Sequence, residues 1–93
     1  MLSGEKCCDV QHCAPPEPMQ QVIEAVQELH EGEYVRMMHR MEPYPLYSML
    51  DDMGFTHCLV LDGEAPYEVM IYKRLDQVAE NRVKERYNII QSG

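Results

Sequence analysis

Between Pro18 and Gly32 the apolar residues Met19, Val22, Ile23, Val26 and Leu29 recur every three or four positions, and on either side the repeat drops to two. Such a change of hydrophobic period marks a strand, an amphipathic helix and a second strand. Gln20, Glu24, Gln27, Glu28 and Glu31 take the other side of the helix. Pro18 suits the first turn, where its missing N–H has no acceptor, and Gly32 suits the left-handed residue just past the last turn. Before the helix, residues 6–12 alternate, with Cys8 and Val10 on one side, until Pro15 and Pro16 close the run. After it, residues 33–40 place Val35, Met37 and His39 opposite Tyr34, Arg36 and Met38.

The same reading continues. Pro43 and Pro45 open a second helix with the stripe Leu46, Tyr47, Leu50 and Met53, stopped by Gly54. Residues 55–61 and 67–74 flank the turn-rich Asp62-Gly63-Glu64-Ala65-Pro66 and predict a hairpin. Leu75, Val78, Ala79, Arg82, Val83, Tyr87 and Ile90 then fall at helical spacing, with Asp76 as N-cap. The order β-α-β-α-β-β plus a C-terminal helix predicts an α/β chain: a mixed four-stranded sheet, two helices on one face in a two-layer sandwich, and an added helix. Right-handed crossovers make the first two strands parallel. One domain over residues 6–74 is expected, with residues 1–5 loose and residues 75–91 a helical extension. Val22, Ile23, Val26 and Leu29 should pack on Val35, Met37, Val69 and Ile71. On the opposite face Tyr34, Met38, Met70 and Tyr72 need a cover, which the C-terminal helix supplies within the chain or across a homodimer.

Eight basic against sixteen acidic side chains leave a net charge of −8, which repels phosphate backbones and argues against nucleic acid as a partner. The longest apolar runs, such as Cys58-Leu59-Val60-Leu61, fall far short of the ~20 residues that span a bilayer. No basic and apolar leader opens the sequence, so the expected setting is the cytoplasm, with Cys7, Cys8, Cys13 and Cys58 as free thiols. The serines, Ser3, Ser48 and Ser92, belong to no nucleophile–base set and no phosphate loop is present; independent catalysis and a bound cofactor are not expected.

Parallel first and second strands bring their C-terminal ends to one sheet edge beside the N-termini of both helices, where open α/β sheets place ligands. His12, Pro16, Glu17, Pro18, His39, Arg40, Glu42 and Tyr47 are the candidate contacts there for an unidentified protein partner or small ligand. Glu17, Arg40 and Glu42 read either as a recognition cluster or as a solvated surface. His12, Cys13 and His39 are suitable ligand types for a metal, without the close C-x-x-C pairing of a zinc site. The methionines read as packing material around Met19, Met37, Met49 and Met53, with a copper-binding cluster as the alternative.

The stretch Cys8-Asp9-Val10-Gln11-His12-Cys13-Ala14-Pro15-Pro16-Glu17-Pro18 resembles the D-x-x-G-x-x-C-P-x-P opening of the TusA/SirA-like sulfur-carrier superfamily. The resemblance runs to about Lys73 and implies the β-α-β-α-β-β fold. It also implies a persulfide-carrying cysteine at the position where this chain has Pro15, so carrier chemistry of the usual form is not expected. His39-Arg40-Met41-Glu42-Pro43-Tyr44-Pro45-Leu46-Tyr47 is similar to the H-x-x-E-P-x-x-L-Y signature of an uncharacterised sister branch, a domain of unknown function. The expectation is an accessory or binding module without turnover. Its rivals are a sulfur relay using Cys13 and a metal- or haem-associated redox accessory using His39.

Overall fold

The computed structural model describes residues 3–14 and 17–91 and contains the expected unit of β1 (Glu5–Asp9), α1 (Glu17–Gln27) and β2 (Tyr34–His39). The two strands pair in parallel, Glu5 opposite Tyr34 and Asp9 opposite Met38. α2 (Tyr44–Asp52) leads to β3 (Phe55–Val60), which forms an antiparallel hairpin with β4 (Tyr67–Lys73). α3 (Gln77–Arg86) and β5 (Ile89–Gln91) complete the chain. β4 inserts between β2 and β3, giving one mixed sheet of order β1-β2-β4-β3-β5.

Five strands replace the expected four. The C-terminal helical stripe does not continue to Ile90: α3 ends at Arg86, Tyr87 is extended, and residues 89–91 pair antiparallel with β3 along its free edge. At the other end, residues 1–5 are not all loose, because Glu5 already belongs to β1. β1 stops at Asp9, short of His12, where the Asp9 carboxylate accepts the backbone N–H of Gln11 and turns the chain.

Alternation gives the sheet two buried faces. On one, Val22 and Val26 from α1, Leu29 just after it, and Leu46 and Leu50 from α2 meet Val35, Met37, Val69 and Ile71, as expected; Ile23 is only partly buried. Met53 sits at the C-cap of α2, exposed rather than in the stripe, and Met49 is 40% exposed. On the other face α3 lies against its own chain, with Ala79 and Val83 over Tyr34, Met70 and Tyr72. Val78 does not join them and is 45% exposed, the helix being rotated so that Ala79 and Val83 point inward.

Gly32 ties this helix to the rest. Its φ of +82° is a conformation that side chains rarely adopt, and an added Cβ would come within 3.0 Å of Arg82 Nη1 and 3.1 Å of Val78 Cγ1. Its N–H donates to Asp76 Oδ2 and its carbonyl accepts from Arg82 Nη1. Asp76 Oδ1 accepts the Ala79 N–H, so one carboxylate both caps α3 and anchors the turn before β2.

Candidate functional site

Parallel β1 and β2 bring the β1–α1 turn, the last residue of β2 and the start of α2 to one end of the sheet. A cleft of about 200 Å³ opens there. Met37 and His39, on the helix-covered side of β2, line its base; Pro18 and Met19 come from the first turn of α1, and Met41, Glu42, Pro43 and Pro45 from the approach to α2. Prolines suit these walls because both helix starts lack acceptors for their first N–H groups. Pro43 is itself the N-cap of α2, with no side-chain capping bond, and its carbonyl accepts the Leu46 N–H.

The stretch from Glu42 to Tyr47 has a local explanation. Tyr47 Oη donates to Glu42 Oε2 at 3.2 Å, folding the α2 entry back on itself. The Tyr47 ring stacks on His57 of β3, centroids 3.9 Å apart, and meets Tyr44 edge to face. Burial, then the Glu42 charge, push the Tyr47 phenol well above its ordinary range, so it remains a donor to Glu42.

His39 is built differently. Its Nδ1 is buried and, among the described residues, has no hydrogen-bond partner. Burial, followed by the Arg40 charge, holds its pKa below the usual histidine value, favouring the neutral ring. A buried polar atom left without a partner costs about 1–3 kcal/mol, so a group that satisfies it is favoured to bind.

Of the sequence-derived candidates, Pro18, His39 and Glu42 share the cleft, and Tyr47 is joined to it through Glu42. His12, Glu17 and Arg40 are exposed and do not line it. Pro16 lies outside the described residues. Glu17 accepts from Gln21 of its own helix, whose side-chain amide also lies 3.5 Å from Cys13 Sγ. Cys13 is therefore half-buried against α1. Among the described residues no three His, Cys, Asp or Glu side chains gather to hold a metal ion, so His12, Cys13 and His39 do not form that site. Burial raises the pKa of the Cys7, Cys8 and Cys58 thiols, which opposes thiolate chemistry.

Sequence reasoning passed over Met41, Pro43 and Pro45 as cleft walls, although they fall within the quoted signature. It also passed over a buried ion pair on the α3 face. Arg36 Nε lies 2.6 Å from Glu68 Oε1, Glu68 accepts the Ala65 N–H, and Arg36 reaches Glu5 and Glu64 at longer range. Glu5 also accepts from Tyr34 and Tyr87, while Arg86 donates to Tyr34. The signal was opposite charge on one face of β2 and β4, Arg36 facing Met70 and Glu68 facing Met38 in register.

A family model described as an uncharacterised conserved protein, DUF2249, matches residues 8–73. The chain belongs to the DUF2249 family. The DUF2249 match contains every residue of the cleft and ends before α3. No curated protein and no solved structure matches the chain. No helix among the described residues is long and apolar enough to cross a membrane.

Proposed function

We propose that this DUF2249 chain is a small accessory binding module of TusA-like architecture, in which the cleft at the C-terminal end of β2 receives a small ligand or a side chain of a partner protein. The observation that carries the reading is the unpartnered His39 Nδ1 beside an open, largely apolar cleft. Apolar walls supply affinity and the few polar groups, His39 and Glu42, supply orientation. The module binds without persulfide carriage, since Pro15 stands where the resembling carriers have their cysteine. The β-α-β-α-β-β order with α1 and α2 on one face supports the architectural part of the reading.

The test is a methionine-methyl NMR screen with apolar fragments bearing a hydrogen-bonding group. Occupancy of the cleft moves the Met19, Met37 and Met41 methyls; shifts confined to Met70, beneath α3, would overturn the assignment. Persulfide labelling followed by intact mass examines the chemistry. A stable added sulfur on Cys13 would replace this reading with a sulfur relay.

A further inference from the structure

We propose that the occupant of the cleft is copper(I), held by the His39 imidazole and the thioethers of Met19 and Met41 above Met37. This inference rests on the reading of the cleft as the binding site and names its ligand. The chain has eight methionines in 93 residues. Three of them reach this one cleft from separate segments: Met19 from α1, Met37 from β2 and Met41 from the loop between β2 and α2. A fourth, Met49, shares the adjoining groove with Met19 and Ile23.

The donor set selects the ion. Thioethers are neutral, polarisable donors that suit copper(I) and serve hard cations poorly, while imidazole adds a nitrogen donor acceptable to the same ion. Zinc takes thiolate, imidazole and carboxylate ligands, and no three such residues gather among the described residues. Largely apolar walls also favour a monovalent ion over a divalent one, because the cost of leaving water rises steeply with charge. Glu42 on the cleft wall is an anion that can offset the single positive charge. No hydrogen bond among the described residues fastens Nδ1, so no protein group competes with the ion for that nitrogen. Met41 lines the cleft and is 68% exposed, so its thioether is within reach of an ion in solution.

Thiols compete for copper(I), so the titration uses the full chain carrying Cys7→Ser, Cys8→Ala and Cys13→Ser, with the buried Cys58 retained. Copper(I) is added without oxygen against bicinchoninate, whose coloured complex reports the free ion. One copper per chain is expected to be withheld from the chelator, and Met19→Leu/Met41→Leu should weaken retention about tenfold or more. Leucine keeps the volume, and circular dichroism confirms that the variants are folded. On the same cysteine-substituted chain, titrated to saturation, the Met19 and Met41 methyls should move while Met53, at the far end of α2, stays.

No retention, retention unchanged by the double substitution, or unmoved Met19 and Met41 methyls would overturn the copper assignment. If apolar fragments still shift those methyls, only the choice of ion is lost. If neither fragments nor copper shift them, the cleft reading falls as well.

Discussion

The two faces of the sheet treat polar groups in opposite ways. Beneath α3 the interior contains a carboxylate and a guanidinium, yet Glu68 is held by Arg36 and the Ala65 N–H, and Glu5 accepts from two tyrosines. The face under α1 and α2 is apolar, and at its open end His39 Nδ1 goes without a partner. A satisfied buried network fixes register and packing; an unsatisfied atom beside a cleft leaves binding energy to be collected. On the proposed reading, the α3 face holds the fold together and the cleft is the recognition site.

Removing the cover is the severest way to break this contrast. Deleting residues 76–93 would uncover Tyr34, Met70 and Tyr72, and would take from the Tyr34 hydroxyl its Arg86 donor and from the Glu5 carboxylate its Tyr87 donor. Light scattering should then show aggregation or a changed oligomeric state. A soluble monomer of unchanged stability would mean that α3 is dispensable.

Next in size is Arg36→Ala, which strands the Glu68 charge in the interior and should cost about 3–5 kcal/mol in urea unfolding. Arg36→Met combined with Glu68→Leu removes both charges and should recover most of that loss. Equal destabilisation in both variants would deny that the pair is coupled.

Acid separates the faces by pH. Burial raises the Glu68 pKa, but Arg36 and the Ala65 N–H outweigh it and leave the native value below the ordinary one. Its contribution is therefore complete above the usual carboxylate pKa and is lost as pH falls through the native value. Burial also holds the His39 and His57 pKa values down in the native state. Their contribution is complete above the ordinary histidine pKa of about 6.5 and is lost as pH falls from there towards their native values. Urea midpoints should decline gently below about pH 6.5 and more steeply below about pH 4.5. Replacing His39 and His57 with Leu and Phe should flatten the first decline alone.

The smallest expected stability change belongs to Arg40→Ala, within ~0.5 kcal/mol, because the side chain is exposed and has no ion pair among the described residues. Its effect should appear in partner or ligand binding, measured by calorimetry or capture with His39→Leu as the comparison.

Much of the architecture was legible because periodicity is a local property. The stripe from Met19 to Leu29, the alternation around Val35 and the Asp76 cap each follow from neighbouring residues. β5 was not legible, since three residues with no flanking turn signal acquire strand geometry only from the free edge of β3. The cleft was half legible: His39 at the end of β2 and Pro18 at the start of α1 meet wherever a parallel pair is read correctly. Met41 was missed because a methionine lining a cleft and a methionine filling a core have the same local pattern, and Pro45 because its role in opening α2 already accounted for it. Val78 failed for a related reason, as helical spacing alone does not fix which side of a short polar helix turns inward.

The central claim is that His39 is retained for binding at a cost to stability. Unfolding His39→Leu in urea tests it most directly, because leucine removes the unpartnered nitrogen while keeping similar bulk. The account predicts a gain of about 1 kcal/mol relative to wild type. A loss of similar size would show that His39 is a structural residue with a native partner, and would contradict the account.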